Sequence, residues 1–159
     1  MSIGARQIRI RRTTWWRFVR KLRERGGGVR ESGGFLLGRV GRDRVCECLY
    51  YDDLDPGSLD SGIIRLDGAA MIAVYDRCEE RGLEVLADVH THSGHGVWQS
   101  VADETNPTVR KVGHTAIIVP HYAGRNSSTL KGCGIYNYLG NHRWRTCEVS
   151  ERRIKLKLF

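Results

Sequence analysis

Residues 84–103 read EVLADVHTHSGHGVWQSVAD, and the fold is decided by how this stretch is divided. Val85, Leu86, Ala87 and Val89 give Glu84–His92 the character of a strand. Ser93–Trp98 is a Gly-rich loop, and Ser100–Glu104 opens a short helix. Alternate side chains of a strand share a face, so His90 and His92 point to one side and Thr91 to the other. Two neutral imidazoles placed in this way can approach one metal ion. Asp103 lies beyond a loop long enough to fold back and add an anionic third donor. Zinc takes such nitrogen and oxygen donors and keeps a position open for water in catalytic sites. The donor types also suit copper or iron, but hydrolysis without redox chemistry favours zinc. A His-x-His pair alone equally fits two hydrogen-bonding surface histidines. His-x-His, seven residues, then Ser-x-x-Asp is a stronger signal, matching by chance about one chain in several thousand of this length.

The flanking segments alternate between strands and helices. Upstream, the pattern predicts a helix over 68–81, with Asp67 as its cap, Met71, Val74, Tyr75 and Cys78 on one side, and Gly82 ending it. Residues 31–40, ESGGFLLGRV, hold a buried strand at Phe35–Leu37. A turn around Gly41 joins it to a second strand, Val45–Tyr51. The polar residues 52–66, with Pro56, Gly57 and Gly62, read as a surface loop. Nearer the start, residues 6–10 form a short edge strand. Thr13 or Thr14 is placed to cap a helix bearing Trp15, Phe18, Val19 and Leu22, which ends at Gly26–Gly28. Downstream, Thr115–Pro120 is a β-branched strand, Ala123–Ser128 a turn, and Cys133–Leu139 and Trp144–Val149 the closing strands.

The chain of 159 residues has the length of one domain, 1–159, with no internal repeat. Hydrophobic residues at 40% and charged residues at 28% exclude disordered and fibrous classes. No apolar run approaches the ~20 residues that span a bilayer, so membrane insertion is not expected. MSIGARQIRIRRTT lacks the apolar segment of a secretory signal, which leaves the cytoplasm as the expected location. Five cysteines, at 46, 48, 78, 133 and 147, have no zinc-finger spacing and read as reduced thiols. The net charge of +8 is uneven, because residues 1–30 hold ten basic residues against Glu24 alone. This basic strand and helix region could meet a polyanion, an acidic protein or only solvent. Without a finger or an RNA-binding signature, nucleic acid is not expected as the main partner. His95 and Trp98 fall in the loop beside the candidate donors, whereas His114, His121 and His142 have no ligand spacing. The Asp52-Asp53-x-Asp55 cluster reads as a solvated loop or a basic contact.

His90-x-His92, seven residues and Ser100-x-x-Asp103, preceded at a distance by Glu31 in ESGGFLLGRV, resembles the JAB/JAMM motif of the MPN-plus metalloproteases. The resemblance covers most of residues 8–149. It implies an α/β domain with a central mixed sheet flanked by helices, of cytidine-deaminase-like architecture. It further implies that His90, His92 and Asp103 bind one Zn2+ ion, that Glu31 is the acid/base handling the proton of a zinc-activated water, and that Ser100 assists at the reacting carbonyl. The implied activity is cleavage after the C-terminal glycine of a ubiquitin-like protein, free or conjugated. Compact proteins of this kind resemble bacterial deconjugases that accompany ubiquitin-like conjugation enzymes, including antiphage systems. Many members place proline after the second histidine, where this chain has Ser93-Gly94. A noncatalytic MPN-like scaffold is the alternative, normally marked by lost motif residues, and a basic nucleic-acid-binding module is a further one.

Overall fold

A computed structural model describes residues 6–124, 127–148 and 154–157. Its core is a six-stranded mixed sheet in the order β3-β2-β4-β5-β6-β7. The strands are β2 (Gly33–Arg39), β3 (Val45–Tyr50), β4 (Leu83–Thr91), β5 (Thr115–Val119), β6 (Gly134–Gly140) and β7 (Arg143–Thr146). β4 and β5 run parallel, and the other neighbouring pairs are antiparallel. A separate parallel pair joins β1 (Ile8–Arg11) to β8 (Ile154–Lys157). This long-range pairing has no local signal in the sequence.

Each face of the sheet buries its own cluster. On one face α1 (Arg12–Gly26) sets Trp15, Phe18, Val19 and Leu22 against Leu36, Val89, Ile117 and Val119. On the other, α3 (Gly68–Arg81) sets Val74 and Cys78 against Phe35, Leu37 and Leu83. Phe35 and Leu37 therefore face α3 and Leu36 faces α1, as strand alternation requires. Two helices end as the sequence predicts: Gly27 and Gly82 take left-handed φ values of 61° and 64°, where a side chain is disfavoured. The Asp67 side chain accepts from the Ala70 N–H at 2.8 Å and caps α3.

Three expectations need correction. Neither Thr13 nor Thr14 caps α1. Strand β1 runs straight into the helix, so Arg11 occupies the N-cap and makes no side-chain capping bond. Tyr75 is half exposed, and Ala70 takes its place on the buried side of α3. Residues 52–66 are not simply a surface loop: α2 (Tyr51–Leu54) starts the segment, Leu59 is buried, and Ile64 and Leu66 pack on the α3 cluster. The acidic pair here has an internal partner, since Arg25 Nη1 donates to Asp52 at 2.7 Å and to Asp53 at 2.8 Å. The cysteines are free thiols. Val149 and part of the 123–128 turn lie outside the described residues. No helix among the described residues is long and apolar enough to cross a membrane.

Candidate metal centre

β4 delivers the histidines at the end of the sheet where it meets β5. His90 lies near the C-terminal end of β4, and the His92 N–H donates to the Val119 carbonyl at 2.9 Å. Thr91, between them, is fully buried on the opposite face, and its Oγ1 accepts from the Ser32 N–H at 3.0 Å. The Nε2 atoms of His90 and His92 are 3.1 Å apart. Asp103 Oδ1 lies 3.4 Å from His90 Nε2, and Oδ2 lies 3.3 Å from His92 Nε2. Tetrahedral coordination with bonds of about 2.0–2.1 Å sets donor atoms about 3.3 Å apart. The two imidazole nitrogens are near that spacing, each has a different Asp103 oxygen at a similar distance, and one donor atom from each residue lies within 4.8 Å of the others, so the group could hold a metal ion.

The surrounding bonds orient these donors. His92 Nδ1 lies 3.1 Å from the Gly96 carbonyl, which can only accept. Nδ1 therefore carries the hydrogen, and Nε2 presents its lone pair to the cluster. Asp103 sits in the first turn of α4 (Val101–Thr105) and forms a reciprocal capping box with Ser100. Ser100 Oγ accepts from the Asp103 N–H at 3.1 Å, and Asp103 Oδ2 accepts from the Ser100 N–H at 2.8 Å. The same box holds Asp103 in place and leaves the Ser100 hydroxyl hydrogen free to donate elsewhere.

Glu31 arrives from the neighbouring strand. Gly33 pairs with His90, and the Thr91 N–H donates to the Ser32 carbonyl at 2.9 Å, which carries Glu31 to the same end of the sheet. Ser32 Oγ donates to the Leu22 carbonyl at 2.6 Å and ties this corner to α1. A Cβ at Gly33 would collide with the Tyr51 ring and lie 2.5 Å from the Val89 carbonyl oxygen, so only glycine permits the approach. Glu31, His90, Ser100 and Asp103 line one cleft of about 860 Å³.

The charges respond to this grouping. Burial raises the Glu31 pKa, outweighing the pull of His90 and His92 in the other direction. Burial also opposes charge on His90 and Asp103, but their mutual hydrogen bond wins. It lifts the imidazole and holds the carboxyl well below the usual range.

All five residues singled out from the sequence meet at this cleft or its rim. His95 is exposed on the loop, with its ring edge-on to Trp98 at 6.3 Å. His142 is exposed elsewhere, and His121, also exposed, donates its backbone N–H to the Gly94 carbonyl at 2.9 Å on the loop after His92. His114 is different: its Nε2 lies 2.5 Å from Asp88 Oδ1, and both residues are buried. Asp88 lines the cleft two residues before His90, on the same face of β4. The Asp-x-His alternation could have flagged Asp88, but its partner 26 residues away could not be read locally.

Histidines at the end of a central strand, an aspartate on the capped helix after it and a glutamate entering the antiparallel neighbour thus meet at one end of the sheet. The fold is a mixed α/β one, a six-stranded sheet with helices on both faces. No protein-family model matches the chain. Among solved structures, protein DSY2949 from Desulfitobacterium hafniense aligns with 96% of this chain and 94% of its own, at a TM-score of 0.66 and 16% identity. A protein from Salinibacter ruber aligns over 89% of both chains, at a TM-score of 0.57 and 17% identity. At this identity the likeness concerns the fold. A JAB1/MPN domain protein from Archaeoglobus fulgidus covers 95% of this chain and 98% of its own more loosely, with a TM-score of 0.48 and 16% identity.

Proposed function

We propose that the chain is a JAMM-type zinc peptidase cleaving the peptide or isopeptide bond after the terminal glycine of a ubiquitin-like protein. The observation that carries this reading is the convergence of His90, His92 and Asp103 donor atoms within 4.8 Å of one another, with Glu31 and Ser100 lining the same cleft. Zinc held there would supply Lewis acidity, which makes water nucleophilic at neutral pH and polarises a carbonyl.

Each protein group then has a defined task. Glu31 accepts a proton from the attacking water and returns it to the departing amine. Its raised pKa suits both halves of that exchange. The Ser100 hydroxyl, with its hydrogen free, donates to the oxygen that becomes negative. Asp88 and His114 brace the strand beneath the histidines. Ile63, Leu66, Met71 and Val101 give the cleft apolar walls. Such a groove suits an extended tail whose glycines carry no side chains.

The substrate would be a ubiquitin-like protein or its conjugate. Residues 1–159 would act as one cytoplasmic domain beside bacterial conjugation enzymes, in the setting of antiphage defence. The test is mass analysis of a ubiquitin-like protein extended beyond its terminal glycine after incubation with zinc-loaded protein. Release of the mature tail, abolished by a chelator and restored by zinc, is expected. An intact substrate with fully metallated protein contradicts the proposal.

A further inference from the structure

The face of the sheet opposite the cleft carries a second feature. Helix α1 turns its apolar side chains into the core and exposes Arg12, Trp16, Arg17, Arg20, Lys21 and Arg23. Arg20 pairs with Glu24 at 3.3 Å and sits over the Trp16 ring at 4.8 Å. Among the described residues, Arg12, Arg17, Lys21 and Arg23 have no carboxylate partner, although Arg25 on the same helix has two. The exposed side of α1 is therefore a cationic surface. Val89, Ile117 and Val119 separate it from the cleft, which opens on the side of Tyr51, Leu66 and Met71.

The make-up of this surface selects its partner. Interfaces between folded proteins bury an apolar core within a polar rim. On this helix the one large exposed apolar side chain is Trp16, at 47%. A surface made almost entirely of guanidinium and ammonium groups draws its affinity from charge. A polyphosphate rewards this best, because each neutralised phosphate releases a counterion. Arginine fits phosphate oxygens in pairs, and an exposed indole offers a platform for an unpaired base. We propose that the exposed side of α1 binds the backbone of single-stranded nucleic acid without sequence preference, on a face separate from the hydrolytic cleft.

Fluorescence anisotropy of a labelled 20-nucleotide single strand and its duplex tests this on the full chain. Binding is expected at 50 mM salt, and log K should fall with log[salt] at a slope of about −3 for four phosphates. The triple substitution R17Q/K21Q/R23Q should bind at least tenfold more weakly and flatten the slope by about 2. Trp16→Ala should weaken the single strand about tenfold and the duplex far less. All four side chains are exposed, and circular dichroism with zinc content verifies that the variants fold. No binding at 50 mM salt, or unchanged binding by the triple variant, overturns the proposal. Competition by polyglutamate of equal charge as effective as the oligonucleotide overturns it in favour of an acidic protein partner.

Discussion

Glu31 is half-buried, and its carboxylate is caught between two demands. Burial raises its pKa, with His90 and His92 opposing less strongly. The folded state therefore favours the protonated form. That contribution to stability is complete below the ordinary carboxyl range, and it is lost as pH rises through the raised pKa of Glu31. Glu31→Gln fixes a neutral side chain of similar size. In metal-free protein the variant should melt at a higher temperature than the parent at pH 7, with the difference shrinking to nothing below about pH 4. Thermal melts across that range check the sign, and a lower Tm for the variant at pH 7 contradicts it. Ser100 supports two assignments that separate experimentally. As N-cap of α4 it should cost about 1 kcal/mol of stability when changed to alanine. As a donor to the developing oxyanion, its loss should slow single-turnover cleavage by about a hundredfold while zinc content stays near normal. A normal cleavage rate alongside the lost stability would reduce Ser100 to a structural cap.

The reach of Glu31 depends on strand β2 lying close to its neighbours. A Cβ at Gly34 would collide with the Leu49 carbonyl, as one at Gly33 would with Tyr51 and Val89. Gly34→Ala should therefore destabilise by about 1–3 kcal/mol. At about 2–4 °C per kcal/mol for a chain of this size, the Tm should fall by several degrees. An unchanged Tm would show that the strand pairing has slack. The glycines themselves were legible in ESGGFLLGRV, but not the atoms they make room for, because those belong to β3, β4 and α2. The same division runs through the other elements. Asp67 and Gly82 mark α3 by bonds within one or two turns, and residues 68–81 form the helix over that span. At α1 the threonines carried the right chemistry for a cap, but β1 leads directly into the helix and leaves them inside its first turn. In residues 52–66, a polar composition concealed Leu59, Ile64 and Leu66, whose burial depends on α3 and β2.

Across the molecule, strand order was less legible than strand identity. The parallel β1–β8 pair and the Asp88–His114 bond join residues far apart in sequence, and no local periodicity encodes them. The donor cluster was legible because its spacing is local: strand alternation aligns the histidines, and one capped turn returns Asp103 to them. If this cluster is the metal centre, the purified protein should hold about one zinc per chain by elemental analysis, and His92→Ala should lose most of it. Zinc retained at parent level by that variant would remove His92 from the ligand set. The central claim couples this centre to proton transfer by a residue that does not bind the metal. It is tested most directly by single-turnover cleavage of a glycine-tailed ubiquitin-like substrate by Glu31→Gln, with zinc content measured on the same preparation. The account predicts near-normal zinc and a rate at least about a hundredfold below the parent. Cleavage at the parent rate by the fully metallated variant would contradict it.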